Sequence, residues 1–115
     1  MDAVAHARFQ RFGRRKVAQV LSQVRGKTVG RAKELLPNVP RRSAGMVEKT
    51  IRSAAANLMV KAGHKLDLQS MWVKAGWVDK GPLKNLRRLR PGPQGRALSY
   101  RRKMCHLTIV VSDKK

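Results

Sequence analysis

The chain has 115 residues, of which 27 are Lys or Arg and 6 are Asp or Glu, for a formal net charge of +21. A chain of this length is one domain with a modest core. Self-repulsion on that scale costs stability unless a polyanion relieves it. Nucleic acid fits better than an acidic protein, because its phosphates are regularly spaced and release counterions on binding; an anionic membrane surface is the weaker alternative. No stretch is long and apolar enough to span a bilayer. Met1 to Ala7, with its early Asp2, lacks the charged-then-apolar order of a signal peptide. Cys105 is the sole cysteine, which excludes an internal disulfide and fits a reducing compartment.

In chain order, the near-alternation of residues 3–11 predicts a short strand. Val17, Val20, Leu21 and Val24 fall at i, i+3, i+4 and i+7, so residues 14–25 are expected to be helical, with Gly26 at the left-handed position that closes the helix. Thr28 is placed to cap a second short helix whose apolar positions are Val29, Ala32, Leu35 and Leu36. Pro37 and Pro40 break the chain after it. Val47, Ile51, Ala54, Ala55, Leu58 and Ala62 predict a long third helix over residues 41–62, stopped by Gly63. Residues 71–79 read as a strand. Residues 104–112 do so more strongly, since Cys105, Leu107, Ile109 and Val111 alternate with Met104, His106, Thr108 and Val110.

Between these two strands lies a segment, residues 80–103, with nine cations (Lys80, Lys84, Arg87, Arg88, Arg90, Arg96, Arg101, Arg102, Lys103) and no carboxylate. Its middle, Arg90-Pro91-Gly92-Pro93-Gln94-Gly95-Arg96, carries the residues that reverse a chain. If the flanking strands pair, the segment is a protruding hairpin. Half out and half back, it reaches about 35–40 Å at ~3.3 Å per residue. A compact domain of this length has a radius of gyration of only ~13 Å, so its own core cannot cover such an arm. A competing local signal is the spacing of Leu83, Leu86 and Leu89, which taken alone favours a basic amphipathic helical turn stopped by Pro91.

Several motifs then occur in order. Lys16-Val17 with Val24-Arg25-Gly26-Lys27 resembles the "KV…IRGK" signature of the bacterial-type large-subunit ribosomal protein twenty-two family. Ser53-Ala54-Ala55-Ala56-Asn57 resembles its "SAxAN", and Val78-Asp79-Lys80-Gly81-Pro82 its "VDEGP". Gly95-Arg96-Ala97 matches "GRA", and His106-Leu107-Thr108-Ile109-Val110-Val111 resembles "HITVVV". Each motif alone is weak; together, at near-family spacing over residues 3–113, they are specific. The resemblance implies an α+β fold: three helices packed on a small, mostly antiparallel three-stranded sheet, with a long protruding β-hairpin. The body would be residues 1–79 and 104–115, and the hairpin residues 80–103. It implies a structural constituent of the large ribosomal subunit, not an enzyme. Such a protein binds large-subunit rRNA, aids assembly, touches neighbouring ribosomal proteins, and lines the nascent-peptide tunnel with its hairpin tip. No cofactor, membrane or homo-oligomer is implied, and the setting is cytoplasmic or organellar. The chain departs from the family pattern where Gly13-Arg14 replaces Ser-Pro, which removes an N-cap and puts a cation at the positive end of a helix dipole. Its hairpin is also longer, with Pro91-Gly92-Pro93-Gln94 in place of a more basic run.

The residues expected to bind rRNA are Arg11, Arg14, Arg15, Lys16, Arg25, Lys27, Lys84, Arg87, Arg88, Arg90, Arg96, Tyr100, Arg101, Arg102, Lys103 and His106. Arg predominates in the arm, and its planar fork can hold a phosphate with two hydrogen bonds. The tunnel-lining tip is expected at Arg88, Leu89, Arg90, Pro91, Gly92 and Pro93. Aromatics are fewer than a base-stacking single-strand binder usually carries. Trp72 and Trp77 can stack on bases, but they are an odd number apart, so a regular strand would put one in the core and leave the other partly exposed. Tyr100, among arginines, can stack or hydrogen-bond, and Asn57 can bond RNA or a loop backbone. His6, His64, His106 and Cys105 have no zinc-site spacing. The carboxylates form no paired catalytic motif, and no Gly-rich phosphate loop follows a strand. A free-standing architectural DNA- or RNA-binding protein is the alternative; a membrane-active module rests only on the Leu83–Arg90 pattern.

Overall fold

Alternation of small apolar and polar side chains sets the first strand, β1 (Asp2–Gln10), in which Ala3 and Ala5 are buried and Val4 and His6 are exposed. The computed structural model describes residues 1–84 and 86–115. Helix α1 (Arg14–Val24) buries the whole predicted stripe, Val17, Val20, Leu21 and Val24. Gly26, at φ 82°, turns the chain out of it. In α2 (Val29–Leu35) the Thr28 hydroxyl accepts the Arg31 N–H at 3.1 Å, which satisfies one of the otherwise unpaired first-turn donors. A single 3₁₀ turn, Leu36–Asn38, carries the chain past Pro37. Helix α3 (Ala44–Ala62) begins three residues later than its periodicity suggests, because residues 41–43 form a turn closed by the Ala44 N–H donating to the Arg41 carbonyl. Gly63, at φ 79°, ends it.

Four strands follow: β2 (Trp72–Lys80), β3 (Arg87–Pro91), β4 (Ala97–Arg101) and β5 (Cys105–Ser112). The body sheet is antiparallel with the order β1-β5-β2. The most apolar strand is therefore central, where both its edges are paired. Cys105, Leu107, Ile109 and Val111 face the helices at 0% exposure. Burial also raises the Cys105 thiol pKa above its ordinary value of 9.0. Helix α3 shields the outer edge of β1: Asn57 Nδ2 donates to the Val4 carbonyl at 3.0 Å and Lys61 Nζ to the Asp2 carbonyl at 2.7 Å. Asn57 is expected from sequence to bond RNA or a loop backbone; its backbone partner here is strand β1 and not a loop.

Two register shifts matter for function. In β2, Val73 pairs with Val111 and Ala75 with Val110, so Lys74 is an extra residue. As a result Trp72, opposite Ser112, and Trp77, opposite Thr108, lie on the same face of the sheet, the one turned away from the helices. The expectation of one core and one surface tryptophan fails for this reason: the bulge cancels the odd spacing. Trp72 is half-buried with Lys115 Nζ 5.0 Å from its ring centre, and Trp77 is exposed. The second shift lies in β1 between Ala7 and Gln10.

The basic segment forms a separate two-stranded ribbon, with Arg87 opposite Arg101 and Pro91 opposite Ala97. The helical turn suggested by the leucine spacing is thus overturned over residues 87–91, where ribbon pairing outweighs local periodicity; the part of that turn at Asn85 lies outside the described residues. The ribbon gives the molecule extents of 63 × 26 × 17 Å and a radius of gyration of 17.2 Å, well above the ~13 Å of a compact chain this long.

Candidate nucleic-acid interface

At its base the arm is closed by backbone bonds between its outgoing and returning strands. The Gly81 N–H donates to the Met104 carbonyl at 2.9 Å, and the Arg102 N–H to the Leu86 carbonyl at 3.0 Å. Leu86 is buried at 7% exposure. Beyond it the arm has no core. All nine cations of residues 80–103 are exposed, and among the described residues none of them makes a salt bridge.

Strand register sorts these cations onto two faces. Arg88 and Tyr100 are directly opposite each other, as are Arg90 and Leu98, so these side chains share one face. Arg90 and Arg102 both stack on Tyr100, with guanidinium carbons 4.8 and 5.7 Å from the ring centre. Tyr100 thereby spaces two cations that would otherwise repel. The opposite face carries Arg87 and Arg101, again paired, with Leu89 beside them. Neither face is apolar enough to pack on the body, and both present guanidinium forks.

The apex lies at residues 92–96, where the Gly92 N–H donates to the Arg96 carbonyl and the Arg96 N–H to the Pro93 carbonyl. Gln94 (φ 55°) and Gly95 (φ 72°) make the reversal in left-handed conformation. Of the expected tip residues, Arg88, Leu89, Arg90 and Pro91 lie in β3, while Gly92 and Pro93 enter the turn. Arg96 follows at the start of the return, and Lys84 and Lys103 flank the arm's base, all exposed.

A second basic group lies on the body. Arg11 precedes α1, and Arg14, Arg15 and Lys16 fill its first turn, all exposed. Gly13 supplies no side-chain cap, and no acidic residue sits in that turn. Unpaired N–H groups and three cations therefore meet at the positive end of the helix dipole, an arrangement an anion would relieve. Arg25 is partly used internally, since its Nη2 donates to the Gly76 carbonyl at 2.6 Å and ties α1 to β2. Lys27 keeps an exposed side chain while its backbone carbonyl accepts from Val73. Gln10 and Lys80 both pair with Cys105, so Arg11 lies at the end of the sheet from which the arm leaves.

His106 belongs to neither. It stands on the open face of the body sheet, where its Nδ1 accepts the Phe9 N–H at 3.0 Å and its ring meets Phe9 edge-on at 4.8 Å. An accepting Nδ1 bears no proton, so in this geometry the ring proton is on Nε2. Phe9 is in left-handed conformation at φ 57°, which costs on the order of 1–3 kcal/mol for a residue of this kind. The β1 shift and this φ turn its ring outward, leaving it 60% exposed. With His6, Arg8, Trp77, Asp79 and Thr108 these residues line a concavity of about 330 Å³. Of these residues, sequence reasoning picked out His106 as an rRNA contact and Trp77 as a base-stacking candidate, and it missed Phe9, Arg8 and Asp79. The available signal was a phenylalanine at a core-facing step of β1, just where the strand's alternation fails.

A small α+β body bearing an uncovered, two-faced basic ribbon narrows the possibilities, and comparison with known proteins decides among them. Residues 5–112 match the model of the family described as ribosomal protein L22p/L17e. The chain belongs to that family. It is 41% identical over 114 residues to the large ribosomal subunit protein uL22 of Bdellovibrio bacteriovorus, covering 99% of this chain and 100% of the relative. The uL22 of Endomicrobium trichonymphae is 41% identical over 113 residues, covering 98% of this chain and 93% of the relative. The uL22 of Pelotomaculum thermopropionicum is 41% identical over 115 residues, covering 100% of this chain and 98% of the relative. The match runs through arm and body alike. Among the described residues, no helix is long and apolar enough to cross a membrane.

Proposed function

We propose that the chain is a structural, non-enzymatic constituent of the large ribosomal subunit, working in the cytoplasm by holding rRNA, and that its ribbon is the principal rRNA clamp. Family membership supports the first part. The observation that carries the second is the ribbon's two-sided charge: Arg88, Arg90 and Arg102 with Tyr100 on one face, Arg87 and Arg101 on the other. A ribbon with one basic face would lie on one RNA surface. A ribbon with two is suited to lie between RNA segments and tie them together, which is a role in assembly. The body orients this arm, and Arg11, Arg14, Arg15 and Lys16 give it a second phosphate contact at the uncapped end of α1.

The reversal at residues 92–96 projects furthest from the body and is the part suited to reach the exit tunnel and border the nascent peptide. Neighbouring large-subunit proteins are further partners, and the chain works as one copy per particle. Crosslinking from the ribbon in assembled subunits tests this reading. Photoreactive groups at positions 89 and 99, on the same face as Arg87 and Arg101, and at 98, on the face of Tyr100, are expected to capture distinct rRNA segments. Capture of one segment from both faces, or of protein alone, would refute the clamp. A free-standing DNA-binding role would instead protect duplex DNA with no preference for rRNA.

A further inference from the structure

We propose that the open face of the β1-β5-β2 sheet holds one unstacked RNA nucleobase against Phe9 and Trp77, with Asp79 selecting a base edge rich in N–H donors, guanine above all. This rests on the RNA-binding reading and adds a contact whose chemistry differs from the arm's. The helices occupy the other side of the sheet, so the concavity faces outward. Phe9 and Trp77 rise from the two edge strands at 60% and 46% exposure, on either side of the central strand. Both owe that position to irregularities: Phe9 to a left-handed φ at the β1 shift, Trp77 to the extra Lys74 in β2. Regular strands would have turned Phe9 inward and separated the two tryptophans. The Phe9 N–H bond to His106 and the edge-on contact of the two rings hold the phenyl ring in place. Exposed aromatics on an antiparallel sheet are a recurrent means of stacking unpaired bases.

The rim fixes the orientation. Asp79 lies opposite His106 on β2, and among the described residues it makes no side-chain hydrogen bond or salt bridge despite the 27 cations of the chain. An ionised carboxylate only accepts hydrogen bonds and repels phosphate, so it suits a base edge and not the backbone. Guanine presents adjacent N1–H and N2–H donors that match two carboxylate oxygens. Arg8, on the opposite rim, is placed to take the phosphate. A protein partner's apolar side chain would leave Asp79 and Arg8 without such matched contacts.

The test uses the full chain carrying Trp72→Phe, so that Trp77 is the only indole. The probes are short unstructured oligouridylates with a central guanosine, inosine or abasic site, read by Trp77 quenching and by anisotropy. The guanosine probe is expected to quench Trp77 and to bind about five- to hundred-fold more tightly than the abasic one. Phe9→Leu should remove that advantage with thermal melting still cooperative, and Asp79→Asn should remove the preference for guanosine over inosine while quenching persists. Equal binding of guanosine and abasic probes, or unmoved Trp77 emission, would overturn the proposal. A paired Arg88→Ala, Arg90→Ala variant separates the two readings. It should lose overall affinity and salt dependence while keeping the base preference. Loss of base preference alone sinks the sheet site; an unchanged salt dependence in the arm variant sinks the clamp.

Discussion

Arg90 on β3 holds its guanidinium carbon 4.8 Å from the centre of the Tyr100 ring on β4, and Arg102 covers the same ring at 5.7 Å. The ring holds both guanidinium groups near one place before any RNA arrives, which lowers the ordering cost of binding. An exposed cation–π contact contributes about 0.5–1 kcal/mol. Tyr100→Leu should therefore weaken rRNA binding roughly two- to fivefold, without changing its salt dependence, because no charge is lost. Tyr100→Phe should behave as wild type. Filter binding across a salt series reads both quantities.

Arg87→Ala and Arg88→Ala each remove an exposed arm cation. Each should lower the slope of log affinity against log salt by about 0.7–0.9 and weaken incorporation into reconstituted subunits. Lys33→Ala, at an exposed position of α2, should leave both unchanged. Equal effects of the three substitutions would contradict the division of roles.

Gly81 marks the base of the ribbon. A Cβ there would lie 2.9 Å from the Met104 Cβ and 3.1 Å from its carbonyl carbon. Gly81→Ala should cost about 1–3 kcal/mol, as overpacking does, and displace the arm. Gly45, in the first turn of α3, has open space around its Cβ position. Gly45→Ala should instead stabilise by about 0.4–1 kcal/mol by restricting the unfolded chain. Thermal melting of the two variants gives opposite signs if the geometry is right.

The body was largely legible in the sequence because its signals are local. The Val17-Val20-Leu21-Val24 stripe, the Thr28 cap, the Gly63 stop and the alternation of β5 each act within a few residues. The ribbon was legible from charge and turn residues, although Leu83, Leu86 and Leu89 pointed to a helical turn; pairing of β3 with β4, a non-local effect, decided otherwise. The shared face of Trp72 and Trp77 was not legible, since the bulge at Lys74 depends on register with β5. Phe9 was missed for the same reason: the failing alternation around it hinted at an irregularity, but its outward ring comes from a left-handed φ that depends on register with β5. Arg25 read as an RNA contact from its motif, whereas its hydrogen bond to Gly76, fifty-one positions away, emerges only in three dimensions.

Acid should loosen the edge of the body sheet. The Asp2 carboxylate is held below the ordinary value of 3.8 chiefly by its bond with Lys74, at 2.7 Å. Asp113 is lowered chiefly by the N-terminal amine, at 3.0 Å. A depressed folded-state pKa means the folded form binds fewer protons, so the stabilisation is present above 3.8 and is lost as pH falls below it. Both groups are exposed, so the effect is small and screened by salt. Melting temperature should be level near neutral pH and fall in this acid window; Asp2→Asn with Asp113→Asn should flatten that fall, and salt should do the same.

The most direct measurement is a density map of the assembled large subunit containing this chain. The account predicts rRNA phosphates within hydrogen-bond reach of Arg88, Arg90 or Arg102 on one side of the ribbon and of Arg87 or Arg101 on the other, from different RNA segments. A ribbon folded onto the helices, or one with RNA on a single side and solvent on the other, would contradict it.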